Sequence, residues 1–266
     1  MKPITIKVKR KLTFRIDMSF LSDEIKHSNL NQLKQLSIFY GKKIYKVKDL
    51  FQVSGDDVRN IHIESATHVM DNIGYRMKKM KIVVNGNAGY SFGQEMLSGY
   101  LRINGNTLDY AGSGLKGGSI LIYGNTGDNL GGKPVGLNEG VSDGLIYVKG
   151  NVGNNCVQRM RRGNIIIEGN VGNDCCYKMI SGTVIIKGKV GNNFCEGIKR
   201  GTIFTKDKSF AQNYTLANDV KINFVKFYLL QLKKYIGKNI FSQNIKLKRF
   251  YGQANKEDLS EVFLIS

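Results

Sequence analysis

Three sets of residues have the types and spacing that could do chemistry: two thiols, two carboxylates and a knot of arginines. Cys176 and Cys195 stand 19 residues apart, each four residues after a glycine, Gly172 and Gly191. Two stacked thiolates could take a soft metal, but a zinc site needs three or four convergent ligands. Cys156 and Cys175 complete no C-x-x-C pair, and earlier equivalents of Cys176 are Gly93, Gly112 and Gly131. The thiols are therefore expected to be reduced, small core fillers, and four cysteines are few for a disulfide scaffold of this length. Asp109 and Asp128 are likewise 19 residues apart. Such a pair could serve acid/base catalysis or bind calcium, yet the column continues as Asn154, Asn173 and Asn192, which points to a turn former. The only histidines, His27, His62 and His68, lie outside the well-formed repeats, so a zinc hydrolase or deaminase is not expected. No catalytic and no metal-binding residue is assigned. The third set, Arg159, Arg161 and Arg162 in RMRRG, is the densest basic cluster within a repeat. Each guanidinium can donate two parallel hydrogen bonds to a carboxylate, so an acidic ligand tail or an acidic protein surface suits them.

All three sets hang on one period. Gly86, Gly105 and Gly124 are 19 apart, as are Gly150, Gly169 and Gly188, with a gap of 26 between the two groups, an insertion of 7 residues. Gly99, Gly118, Gly144, Gly163, Gly182 and Gly201 repeat the same spacing and the same insertion. One period earlier, Thr67, Gly74, Met77 and Met80 mark a weaker first turn. Two and four residues after the second glycine come apolar pairs such as Leu101/Ile103, Ile120/Ile122 and Ile165/Ile167, the alternation of a short strand with one face inward. A further column, Met77, Met96, Leu115, Val141, Met160, Met179 and Ile198, is expected to be a continuous internal stack. A 19-residue turn cannot bury its own apolar side, but stacking pairs each strand with those above and below. The expected fold is all-β: a right-handed parallel β-helix of seven 19-residue turns over residues 67–205. Gly-Asn steps at one corner suit left-handed backbone, and their stacked amides can hydrogen-bond along the axis.

Residues 1–66 are expected to form a small α+β cap, with strands through Ile4, Ile6, Val8 and through Leu12, Phe14, Ile16. Residues 206–266 form a helical C-terminal extension, in which NFVKFYLLQLKKYIG is an amphipathic helix with Phe224, Phe227, Tyr228, Leu230 and Leu232 as apolar contacts. It should cover the flank or end of the stack. Lys and Arg outnumber Asp and Glu by 40 to 21, a net charge of +19, which favours an acidic partner or reflects compositional bias. No nucleic-acid module, signal-peptide core or spanning segment of apolar residues accompanies it, so no nucleic acid or membrane is expected and the location is cytoplasmic. Carbohydrate-cleaving β-helices need carboxylates or Lys/Arg clustered on one long face, and hexapeptide acyltransferases a catalytic His; neither pattern is expected here.

GNAGYSFGQEM, GNVGNNCVQRMRRG and GNVGNDCCYKMISGTVIIKG resemble the GxxGxxxG turns of the C-subunit family of formylmethanofuran dehydrogenase, turns also found in the C-terminal domain of the glutamate synthase large subunit. KVKDLFQVSGDDVRNIHIESATHVMDNIGYRM is similar to the segment preceding those turns, extending the resemblance over residues 1–205. RMRRG and the inserted GGKPVGLNEGVSDG most resemble the branch found in bacterial formyltransferase/hydrolase complexes. Departures are Ser65, Met80, Leu108, Cys176 and Cys195. The resemblance implies a non-catalytic scaffold subunit beside hydrolase, second and formyltransferase subunits. That complex moves a formyl group from tetrahydromethanopterin to a methanofuran analogue and releases formate during formaldehyde oxidation in methylotrophs. It also implies that zinc and the methanofuran-type cofactor, with its acidic oligoglutamate tail, bind in partner subunits, and that Arg159, Arg161 and Arg162 guide that tail or touch acidic subunit faces. The alternatives are the C subunit of a formylmethanofuran dehydrogenase and a glutamate synthase-like structural domain; 266 residues leave no room for a glutaminase or flavin domain.

Overall fold

The computed structural model describes residues 1–22, 29–217, 222–241, 246–253 and 259–265; His27 lies outside them. The chain opens with β1 (Pro3–Val8), whose Ile4 and Ile6 turn inward while Lys7 stays out. A two-residue β2 (Ile16–Asp17) follows, then α1 (Leu30–Gln35), started by the Asn29 side chain accepting the Gln32 N–H. The hairpin β3 (Ser37–Tyr40) and β4 (Lys43–Lys46), the single turn α2 (Val47–Leu50) and β5 (Phe51–Ser54) complete the cap. The strand expected through Leu12–Ile16 shrinks to β2. The Tyr40 hydroxyl takes the N–H of Thr13 at 2.8 Å, so this backbone bonds to a side chain instead of a sheet.

Next come β6 (Asp57–Ala66), β7 (Met70–Asp71), β8 (Met80–Gly86), β9 (Gly99–Ile103), β10 (Ser119–Ile122), β11 (Leu145–Val148), β12 (Asn164–Ile167), β13 (Thr183–Ile186) and β14 (Arg200–Thr205). The chain closes with β15 (Tyr214–Leu216), α3 (Ile222–Ile236), β16 (Leu247–Gln253) and β17 (Leu259–Ile265). Among the described residues one sheet of 13 strands has the order β15-β16-β17-β14-β13-β12-β11-β10-β9-β8-β6-β1-β5. From β1 through β17 every neighbouring pair is parallel; the pairs β1–β5, β17–β16 and β16–β15 are antiparallel. Equivalent residues face one another across the repeats: Ile82, Leu101, Ile120, Ile146, Ile165, Val184 and Ile203 make one unbroken row. That row continues beyond the periodic segment, to Ile61 and Ile4 on one side and to Val262 on the other. The terminal segments thus extend the same core, and β17 is a strand where only a helical extension was expected. Its VFLI run, apolar without alternation, is the mark of a strand buried on both faces.

Inside the stack, Met77, Met96, Leu115, Val141, Met160 and Met179 are fully buried and Ile198 nearly so, as the spacing implies. The expectation of one inward face holds less well. Leu121, Tyr147, Ile166, Ile185, Phe204 and Phe263 point the other way and are also buried, because α3 lies over that outer face. The helix packs through Val225, Tyr228, Leu229, Leu232 and Ile236, spaced as one helical stripe. Phe227 and Leu230, expected as contacts, are on its exposed side, and the side chain of Phe224 is outside the described set. Just beyond α3, Glu168 receives Lys187 at 2.8 Å and Lys238 at 3.1 Å. Burial pushes the Glu168 carboxyl up, but hydrogen bonds and charge from the two lysines outweigh it and leave its pKa below the usual value. Among the described residues no helix is long and apolar enough to cross a membrane.

The Gly-Asn corner meets the expectation of left-handed backbone only at Gly86, whose φ is +113°. Gly105, Gly124, Gly150 and Gly169 are absent from left-handed conformations. They are glycine because repeats touch there: a Cβ on any of them would sit 2.6–2.7 Å from the carbonyl carbon of the preceding repeat's glycine. The asparagines do not bond amide to amide. Each Oδ1 accepts the backbone N–H one repeat on, from Asn87 to Asn106, Asn125, Asn151, Asn170 and finally Lys189, at 2.7–2.9 Å.

Candidate functional site

Asp109 and Asp128 belong to the same kind of stack: Asp109 Oδ1 accepts the Asp128 N–H at 2.9 Å and Asp128 Oδ1 the Asn154 N–H at 2.7 Å. Asn154 and Asn173 continue it to Asn192. Each carboxylate is committed to joining repeats. Among the described residues no group of three His, Cys, Asp or Glu side chains is placed to hold a metal.

The four cysteines are all buried and unbridged. Besides the Cys176 and Cys195 column there is a second, Cys156 and Cys175, also 19 apart, and the columns meet where Cys175 and Cys176 bring their Sγ atoms to 3.7 Å. Sequence reasoning singles out only the first column, although the spacing of the second is equally regular. Burial, reinforced by Cys156 and Cys176, pushes the Cys175 thiol well up, so it is a poor nucleophile at neutral pH. Cys176 and Cys195 keep the left-handed φ of the glycines they replace, +63° and +61° against +60° at Gly112. Val157, one repeat earlier, does so too, at +63°.

The arginines lead to a larger feature. Counting back from the second-series glycine, positions −1, −2 and −4 of each repeat share one edge of the stack. Its backbone is joined repeat to repeat by bonds of one type, such as Leu97 N–H to Met77 O, Lys116 N–H to Met96 O, Arg161 N–H to Val141 O and Lys199 N–H to Met179 O. These three columns hold Arg76, Lys78, Lys79, Lys116, Arg159, Arg161, Arg162, Lys178, Lys199 and Arg200. Against those ten cations stand two carboxylates, Glu95 and Asp143. At one strand spacing of 4.7–4.9 Å per repeat, the edge runs on the order of 30 Å. Lys and Arg therefore do gather along one long edge, contrary to the expectation; the 19-residue register makes the columns and reading single repeats hides them.

Two of the three predicted arginines are already engaged. Arg159 donates through Nε to the Asn138 carbonyl at 2.6 Å, and Arg161 pairs with Glu139 at 2.7 Å. Both partners sit in the insertion, so these arginines hold that loop. Arg162 is exposed and forms no ion pair among the described residues. Further along the edge, Glu95 is only 5 % exposed and takes Arg76 at 2.9 Å and Lys116 at 3.7 Å. Its hydrogen bond and charge raise the Arg76 pKa, keeping that cation fixed. The arrangement can bind and orient an extended carboxylate-bearing chain or surface.

A family model described as the GXGXG motif matches residues 54–253. No curated protein matches the chain. Among solved structures, a chain of the X-ray crystal structure of the formyltransferase/hydrolase complex (FhcABCD) from Methylorubrum extorquens, in complex with methylofuran, superposes with a TM-score of 0.83 at 25 % identity. The match covers 98 % of this chain and 99 % of that one.

Proposed function

The chain belongs to the GXGXG motif family, and from that premise we propose that it is the non-catalytic C subunit of a formyltransferase/hydrolase complex. The observation that carries the proposal is the superposition over 98 % of this chain and 99 % of a chain from such a complex. Placed there, the stack is a right-handed parallel β-helix of seven 19-residue turns over residues 67–205, with a cap at 1–66 and an extension at 206–266. It organises cytoplasmic hydrolase, second and formyltransferase subunits. Those partners carry zinc and the methanofuran-type cofactor, and pass a formyl group from tetrahydromethanopterin to that cofactor before releasing formate. The committed Asp109 and Asp128 and the buried thiols agree with a chain that supplies no reacting group.

The basic edge is then the face toward acidic material, either a subunit surface or the cofactor's acidic tail, with Arg162 as an exposed guanidinium and Arg159 and Arg161 acting partly through the loop they hold. Co-expression with the three other subunits from the same host, with an affinity tag on this chain, tests the assignment. A stoichiometric complex of all four subunits with formyl-transfer activity, and none in this chain alone, is expected. Recovery of an active complex of the other three that never contains this chain would overturn it.

A further inference from the structure

The insertion between the repeats of β10 and β11 is held far more firmly than an unused loop requires. Pro134 is buried, with its ring over Gly114, where a Cβ would lie 2.6 Å from Pro134 Cγ. Leu137 N–H closes a turn on Pro134 O at 3.1 Å. On the return side Asn138 O takes Arg159 Nε, Glu139 pairs with Arg161, and Gly140 N–H bonds to Arg159 O. Between these two anchors the loop presents Val135, 84 % exposed, then Gly136, and Leu137, 41 % exposed. Lys133 stands in the loop's own base, Lys116, paired with Glu95, in the preceding repeat, and Arg161, paired with Glu139, and the exposed Arg162 in the following one. Fixing a loop costs conformational entropy, and here the ordered tip buries little of its own apolar surface in return. An ordered apolar tip on a base and neighbouring repeats in which cations outnumber carboxylates is complementary to an apolar socket rimmed by carboxylates, and preordering lowers the loss on docking.

We propose that residues 133–139 form a docking peg for another subunit of the complex, seated in an apolar socket with an acidic rim, and that Arg159 and Arg161 position the peg. This rests on the assignment to a hetero-oligomeric complex made above. The test co-expresses the tagged full chain with its three partner subunits in three forms: wild type, Val135→Asp/Leu137→Asp, and a variant with a photo-crosslinking amino acid at 135. Recovery of partner subunits on the tagged chain is measured by native mass spectrometry, at low and high salt. The expected result is a crosslink from 135 to one partner subunit and at least a tenfold loss of that subunit in the double variant, deepened by salt. Because both side chains are exposed, thermal melting of the isolated double variant should match the wild type. If it does not, the crosslink at 135 decides alone. Undiminished recovery, or a crosslink only to a second copy of this chain, overturns the peg and leaves the assignment to the complex standing. Failure of the wild-type chain to co-assemble overturns both.

Discussion

Replacing Gly169 by alanine separates two reasons for which a repeat might demand glycine. Its φ is not in the left-handed range, so alanine meets no backbone penalty there. Space is the obstacle: the new methyl would lie 2.6 Å from the Gly150 carbonyl carbon and 2.5 Å from Asn151 Oδ1, and closer still to the Gly150 oxygen. The opposing atoms are largely backbone, so relief means prising two repeats apart. That strains the bonds from Gly169 N–H to Gly150 O, 3.2 Å, and from Asn170 N–H to Asn151 Oδ1, 2.8 Å. Overpacking costs about 1–3 kcal/mol, and two weakened hydrogen bonds add roughly 1 kcal/mol each. A total of about 3–5 kcal/mol is a large share of a typical stability of about 5–15 kcal/mol. Gly136→Ala supplies the contrast. It has φ +82° but nothing within 4 Å of the added methyl, so only the left-handed backbone strain of about 1–2 kcal/mol applies. Urea unfolding of both variants, followed by far-UV circular dichroism, gives the difference. If Gly169→Ala lost no more stability than Gly136→Ala, close approach between repeats would not be what selects glycine at that corner.

Other outcomes follow from the same geometry. Met160→Ala removes a fully buried member of the internal row and should cost about 2–5 kcal/mol in the same unfolding assay. The lowered Glu168 pKa means its pairing with Lys187 and Lys238 stabilises the fold above the ordinary carboxyl value of 4.5, and that this contribution fades as pH falls through the lower folded value. Glu168→Gln should therefore flatten the acid limb of stability against pH below about 4.5, and an unchanged limb would refute the clamp. A thiol-reactive chromophore should label none of Cys156, Cys175, Cys176 and Cys195 in the native protein within minutes and all of them in denaturant.

The repeats were legible because their constraint is periodic: each strand must match neighbours of the same length, so Ile120, Ile146 and Ile165 announce one another at fixed spacing. The Met77 to Ile198 row was visible for the same reason. The ends were not, since β1 and β17 join the sheet from outside the period and only the pairings Ile4 to Ile61 and Ile203 to Val262 reveal it. The buried face of α3 is hard to read because both of its sides carry apolar residues; burial of Leu232 and Ile236 decides between them, and Phe227 loses. At the edge, RMRRG stood out as a local cluster. That Arg159 and Arg161 reach back 21 and 22 residues to the insertion is a contact across an irregular loop, which no period encodes.

The two ends of the sheet also bear on what keeps such a molecule finite. A parallel stack could accept another copy on either exposed end indefinitely, since each strand offers the same row of N–H and C=O groups it received. Here the last periodic strand, β14, is covered by β17, after which the direction reverses through β16 to a three-residue β15. At the other end β1 is followed by the antiparallel, four-residue β5. The stack is thus closed at one end by the antiparallel β5 and at the other by the antiparallel β16 with only the three-residue β15 beyond it, and these terminal strands act as stoppers against polymerisation. Removal of residues 206–266 should convert monodisperse protein into growing fibres, seen as rising light scattering; a stable, unaggregated truncation would show that the stoppers are dispensable.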